Sequence, residues 1–399
     1  MTDSFFPSRR VALGLLGSAG IAASILPSRI AFARTGLGGR KLVFILQRGA
    51  ACGLSTIVPV GDPGYAAHRA AMRDTDGSGL KLDSLFTLNP ALPHIGSAYQ
   101  AKQALFVHAI ASAYRERSHF DAQNIVETGG LAPYAQKDGW MNRLLAVLAQ
   151  ENGTQPKALA YAPAIPAALR GNIPVASYAP SALPDASDDL IARVGQLYAK
   201  DTPLHGALET ALATRKMAEG SDMMGNGGGG KTAGMATGKA VAQLMAGPQG
   251  ADVVMVETGG WDTHNAQSRR LAQGLSGVDA MVAALQSGLG AEWGNSLVIV
   301  ATEFGRTVAV NGTGGTDHGT GGAAMLLGGT VSGGRVVADW PGLAQAKLYQ
   351  DRDLMPTTSL ENLISGAVAG HFGLDPAKTA KVLYPAHTAL RPIAGLTRN

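Results

Sequence analysis

Short apolar runs alternate along the chain with longer polar, glycine-rich stretches. KLVFILQ (41–47), ALFVHAIA (104–111), ALAYAP (158–163), ADVVMVE (251–257), SLVIVATE (296–303) and AAMLLGG (323–329) are nearly continuous in apolar residues. A strand that shows apolar side chains to both sides has to be covered on both faces. The runs therefore predict a mainly parallel sheet with helices above and below it. The clearest helical pattern is SRRLAQGLSGVDAMVAALQSGLG (268–290), where Leu271, Leu275, Val278, Met281, Val282 and Leu285 recur at three- and four-residue spacing. It joins the strand ending near Glu257 to the one at 296–303 and predicts a right-handed βαβ crossover. The expected fold class is α/β, a doubly wound, mainly parallel sheet flanked by helices on both faces. Residues 112–150 and about 165–250 read as insertions, the second a cap holding the low-complexity tract GSDMMGNGGGGKTAGMATG, which reads as a loop or cap edge. With no repeat of fixed period, one domain over 34–399 carrying that cap is the expected division.

Composition agrees with a globular chain. Hydrophobic residues at 46% and charged residues at 16% of 399 positions supply a large core and exclude wholesale disorder. The net charge of +4 is small for this length, and no basic stripe is interleaved with aromatics. A nucleic-acid groove is therefore not expected, while a small anionic ester or an anionic polymer remains open as a partner. The N-terminus changes the picture more. Arg9 and Arg10 precede an apolar segment from Val11 to Leu26, followed by Ala31-Phe32-Ala33. This order reads as a twin-arginine signal over residues 1–33, cleaved near Ala33, because the segment is shorter than the roughly 20 residues of a spanning helix. The mature chain is then expected to begin near Arg34 and to be periplasmic or secreted, having met the twin-arginine export machinery. Cys52 is the single cysteine, so no intramolecular disulfide can form.

GNGGGGKT (225–232) has the spacing of a phosphate-binding loop, but no strand precedes it and a glycine tract meets the pattern by chance. The strand ends carry more. Asp262 and His264 follow one run in ETGGWDTH, Glu303 and Arg306 follow another in TEFGRT, and Asp317 and His318 precede a third in GTDHGTGG. Arg48 and Cys52 follow KLVFILQ, and Ser118, His119 and Asp121 follow ALFVHAIA. In open α/β sheets the loops at the carboxyl ends of strands converge, which gathers residues distant in sequence. Carboxylates and imidazoles with one thiol are the donor set of Zn²⁺, with Mn²⁺, Ca²⁺ or Mg²⁺ as other occupants. A metal pair about 4 Å apart would hold the attacking and leaving oxygens of a displacement at phosphorus or sulfur. Taken singly, each residue has a plainer reading: Asp262 forms a turn, a lone His is a satisfied polar group, and Arg306 pairs with Glu303.

Taken together, RGAACGLSTIVPVGDPGY, RSHFDAQNIVETG, ETGGWDTH, TEFGRT and GTDHGTGG resemble, in order from about residue 40 to 390, the exported "domain of unknown function 1501" family of the alkaline phosphatase and sulfatase superfamily. The resemblance implies a parallel sheet flanked by helices with a metal site at the strand ends. Asp262 and His264 resemble the Asp/His pair on one metal. Glu303 stands where relatives carry Asp-His, so it would ligate alone with Phe304 packed in the second place. His318, with Asp317, resembles the last histidine ligand. Ser118 falls at the nucleophile position, with His119 and Asp121 as general-base, ligand or orienting groups. Arg48 and Arg306 would bind an anionic group bidentately. Cys52 departs from the pattern, since the family commonly reads RGGADGL with an acid in that place. Either the thiolate ligates zinc directly or that part of the site is lost; conversion to formylglycine would require the Pro and Arg of Cys-x-Pro-x-Arg, which CGLST lacks. The implied activity is metal-dependent hydrolysis of a phosphate or sulfate ester with one or two divalent ions. The alternative is a non-catalytic exported binding or assembly protein that keeps the fold and a degenerate metal site.

Overall fold

In the computed structural model, residues 37–72, 78–180, 188–199, 201–218 and 230–398 are described. The expected export signal lies outside them, as does the glycine tract up to Gly229.

From the N-terminal side the described elements are β1 (Lys41–Gln47), α1 (Gly53–Thr56), β2 (Ile57–Val58), α2 (Pro63–Arg69), β3 (Leu80–Lys81), β4 (Thr87–Leu88), α3 (Pro93–Gln100) and β5 (Ala104–Ala111). Next come α4 (His119–Thr128), α5 (Trp140–Asn152), β6 (Ala158–Tyr161), β7 (Ala176–Tyr178), α6 (Asp188–Tyr198), α7 (Thr202–Ala218) and α8 (Lys231–Met245). The last are β8 (Val253–Thr258), α9 (Gln267–Leu289), β9 (Ser296–Thr302), β10 (Gly322–Leu327), β11 (Arg335–Val337), β12 (Thr358–Ser359), α10 (Leu360–Phe372) and α11 (Pro376–Leu383).

The large sheet runs β11-β5-β10-β9-β1-β8-β6-β7, with β12 also paired to β5. β1 lies parallel between β8 and β9, so that Phe44 is level with Met255 on one side and Ile299 on the other. β6 is parallel to β7 and β8, and β5 to β11 and β12, whereas β10 runs antiparallel to both β5 and β9. Every residue of β1 and β9 is buried, as their continuous apolar runs require. Val43 and Ile45 pack toward residues of α3, α8 and α9; Leu42, Phe44 and Leu46 pack toward α5, α10 and α11. The sheet is thus covered on both faces, and each fully buried Leu, Ile or Val contributes about 1.5–3 kcal/mol.

On α9 the residues picked out by their spacing, Leu271, Leu275, Val278, Met281, Val282 and Leu285, are all buried. α8 differs from expectation: the end of the tract read as low-complexity loop, KTAGMATG, opens a helix of 15 residues. Its small residues let it approach α9 backbone to backbone, since a Cβ at Gly238 would lie 2.2 Å from the Met281 carbonyl oxygen. No helix among the described residues is long and apolar enough to cross a membrane.

This topology decides where polar side chains meet. Parallel β1, β8, β9 and β5 deliver Arg48, Glu257, Glu303 and the segment toward Ser118 to one rim. Because β10 runs the other way, it begins at that rim, and the loop before it brings His318 to the same edge.

Candidate metal centre

His119, Asp262, His264 and His318 converge at this rim. Nε2 of His318 lies 3.0 Å from Nε2 of His119 and 3.0 Å from Nε2 of His264. The Asp262 carboxylate closes the group, with Oδ1 3.0 Å from His264 Nε2 and 3.2 Å from His318 Nε2, and Oδ2 3.6 Å from His119 Nε2. Donor atoms of His119, Asp262 and His318 all fall within 4.8 Å of one another. His119 sits in the first turn of α4 with Ser118 at its N-cap, and Asp262 and His264 lie on the loop between β8 and α9.

Each imidazole is held by its other nitrogen. His119 Nδ1 is 2.8 Å from Glu303 Oε1, His264 Nδ1 is 2.9 Å from Asp317 Oδ1, and His318 Nδ1 is 3.0 Å from the Arg117 carbonyl oxygen. An acceptor at Nδ1 assigns the proton to that nitrogen, so each neutral ring turns an Nε2 lone pair toward the centre. Three lone pairs and a carboxylate at such separations repel unless a cation joins them. Tetrahedral zinc with Zn–N near 2.0–2.1 Å sets its donors about 3.3 Å apart, close to the spacings here. His119, Asp262 and His318 therefore fit a zinc-class ion, with His264 beside them at His318 and Asp262.

The acids around the rings lie against the outer nitrogens of the histidines. Glu303 is fully buried, and its oxygens accept from His119, Gln123, the Gly49 amide and Thr302. Burial pushes its carboxyl up, but these hydrogen bonds outweigh burial and hold it below the ordinary range. Asp317 is lowered chiefly by its bond to His264. Both carboxylates thus face the outer nitrogens of the histidines, the arrangement that fixes tautomer and aim in metal sites. In turn, the hydrogen bond that His119 donates to Glu303 raises the pKa of His119 against the opposing effect of burial. Phe304 stacks on the His119 ring at 4.9 Å between centroids. Gly49, at φ +116, permits the close approach on the other side, because a Cβ there would meet the Asp262 amide nitrogen at 2.7 Å.

The arginines expected to grip a substrate are otherwise engaged. Arg306 is buried behind Asp262, with Nη1 2.6 Å from Oδ1 and Nε 3.2 Å from Thr316 Oγ1. Burial raises the Asp262 carboxyl, and the Arg306 hydrogen bond and charge more than reverse it, leaving it below the usual carboxylate range. Arg48 binds Gln123, Glu127 and Glu257. Cys52 does not join the cluster: its buried Sγ lies 3.6 Å from both terminal nitrogens of Arg69 and 3.5 Å from Ser55 Oγ. Burial pushes the thiol up, yet the Arg69 guanidinium and the Ser55 hydroxyl hold it below its ordinary value. Ser118 makes no capping hydrogen bond with its side chain. Asp121 accepts from the Tyr114 hydroxyl at 3.3 Å and takes no part in the cluster.

Of the residues expected at the site, His119, a base, ligand or orienting candidate, turns Nε2 toward the cluster, while Glu303 and Asp317, expected as ligands, lie against the Nδ1 atoms of His119 and His264. Sequence reasoning passed over Gln267 and Thr316, both fully buried, which carry the hydrogen-bond chain behind Arg306: Thr316 Oγ1 lies 2.5 Å from Gln267 Oε1. Gln267 stands three residues after His264, and nothing in its type separates it from an exposed helix residue.

The profile of a family described as "Protein of unknown function (DUF1501)" matches residues 92–383. No curated protein matches the chain. Among solved structures, the chain is similar to the C-terminal periplasmic domain of EptC from Escherichia coli in complex with Zn, at 12% identity over 89% of each chain and a TM-score of 0.36. It is also similar to the phosphonate monoester hydrolase of Agrobacterium radiobacter, at 12% identity over 89% of this chain and 79% of that one, TM-score 0.32. The alkaline phosphatase of the Antarctic bacterium TAB5 matches at 11% identity over 75% of this chain and 94% of that one, TM-score 0.30. At such TM-scores the chemistry has to be read from this chain's own residues.

Proposed function

The chain belongs to the DUF1501 family, whose description assigns no reaction, and from its own site we propose an exported, metal-dependent hydrolase of phosphate or sulfate esters. The observation that carries the reading is the meeting of three imidazole Nε2 atoms and the Asp262 carboxylate, each ring braced at Nδ1. His119, His264, His318 and Asp262 would hold the ion. Zn²⁺ or a similar divalent cation bound there supplies Lewis acidity toward a phosphoryl or sulfuryl oxygen.

The chain's own groups supply the rest. Glu303 and Asp317 keep the Nδ1 protons of His119 and His264 in place, and Arg306 orients Asp262 and balances its charge. Ser118, at the N-cap of α4 beside His119, is the proposed nucleophile; the partial positive charge of the helix N-terminus favours its alkoxide form. Periplasmic location follows in this reading from the twin arginine and the Ala31-Phe32-Ala33 site.

One observation favours a non-catalytic binding protein instead: both arginines expected to meet an anionic substrate are already paired within the fold. Zinc titration of the mature protein, followed by assay on aryl phosphates and aryl sulfates, separates the two. The hydrolase reading expects bound zinc, turnover of one ester class, and at least a hundredfold loss of kcat in Ser118→Ala with zinc retained. Bound zinc without turnover on either class supports the binding protein, and a protein that takes up no zinc overturns the metal site.

A further inference from the structure

His318 reaches the rim on the loop before β10 and is gripped there from two other parts of the chain. Its Nδ1 faces the Arg117 carbonyl, and its own carbonyl accepts a hydrogen bond from Arg352. Arg117 does not rest in this place by preference. Its φ is +60, in the left-handed region that a residue with a Cβ disfavours. What holds it is Asp353, which is fully buried. One Asp353 oxygen accepts from Arg117 Nε at 2.8 Å and Nη2 at 2.7 Å, and the other accepts from Arg352 Nε at 3.0 Å.

Neutralising a buried acid explains why two guanidiniums surround Asp353. It does not explain why both arginines also reach the same histidine, one giving a carbonyl to the ring and the other an N–H to the main chain, while Arg117 Nη2 has a further bond to Gln350 Oε1 at 2.6 Å. Bridges between Arg306 and His318 and between Thr307 and Asp353 place the clamp and the histidine on adjoining strips of backbone. We propose that Asp353 is a positioning residue for the metal centre: by pinning Arg117 and Arg352 it fixes the tautomer and aim of His318. This rests on the reading of the cluster as a metal site. Without the pin, Arg117 relaxes toward negative φ and its carbonyl leaves Nδ1. The ring proton is then free to move to Nε2, the nitrogen whose lone pair the ion needs.

The test is zinc affinity, measured by competition with a chromophoric chelator, in the wild-type mature protein, Asp353→Asn and Arg117→Ala, alongside the melting temperature of each zinc-free form. Loss of such outer partners typically weakens metal binding 10- to 100-fold, and a fall of that size is expected in both variants. Lower zinc-free melting temperatures with affinities within twofold of wild type would show Asp353 to be purely structural and overturn the proposal. Should Asp353→Asn fail to fold, Arg117→Ala decides alone, its side chain being 18% exposed. A wild type that binds no zinc removes the metal site itself, a result distinct from equal binding by all three proteins.

Discussion

Glu303 and Cys52 stand at the ends of adjacent strands, yet only one of them acts on the rim. Glu303 spends its lone pairs on His119, Gln123, Gly49 and Thr302, while the Cys52 thiol faces Arg69 and Ser55. A single pair of substitutions separates these roles. Glu303→Gln is expected to weaken zinc binding 10- to 100-fold by loosening the aim of His119, whereas Cys52→Ser is expected to leave it within twofold. Chelator competition on both variants checks this, and a large loss in Cys52→Ser would make the thiolate a ligand after all. At this scale sequence was informative about place and silent about direction. ETGGWDTH and GTDHGTGG marked the rim because acids and imidazoles followed strand-like runs. Whether Glu303 or His119 faces the centre depends on which side of a turn each side chain leaves, and spacing does not encode that. Asp353 left no signal, since an acid in YQDRDLM looks like any surface loop until the fold buries it.

Elements explain what surrounds the site. The continuous apolar runs and the three- and four-residue spacing of α9 were legible because burial on both faces leaves no room for polar residues. α8 was not, because its glycines oppose helix formation unless a partner helix lies close enough to need them. β5 carries a different lesson in His108, which is buried and stacked on Phe86, with Nε2 3.0 Å from the Ile57 carbonyl. Burial lowers its pKa from 6.5 to about 4, so the folded protein keeps it neutral where the unfolded chain has already taken up a proton. The associated stability is complete above pH 6.5 and is lost as pH falls toward 4, a total of about 3 kcal/mol. His108→Gln is expected to flatten the fall of the urea midpoint across that window without removing it, because buried His371 is lowered in the same direction, to about 3. An unchanged acid limb in His108→Gln would show that this ring is not the group responsible.

Across the whole molecule, the reversed strand β10 is what completes the rim. A strictly parallel sheet would send the loop before that strand to the opposite edge and leave His119, Asp262 and His264 without their fourth partner. The pattern of apolar runs gives strand positions and not strand directions, so this reversal could not be read in advance. It also makes the centre a junction between remote stretches, His119 and His318 being 199 positions apart and His264 and His318 54. An ion bound only to the folded form, at a free concentration a thousand times its Kd, would stabilise the fold by about 4 kcal/mol. Calorimetry should therefore show a melting temperature that rises with added zinc and drops on chelation, and indifference to both would count against a shared ion.

The strained, clamped backbone at Arg117 sets where that loosening begins. With its carbonyl released from His318, the segment ahead of α4 has a more comfortable conformation to fall into, while the sheet beneath keeps its pairing. Amide protons from Glu116 to Asp121 and from Gly315 to Gly321 would then exchange with solvent well before those of β1 and β9, so that depletion of the ion is felt first as a local breathing of one edge.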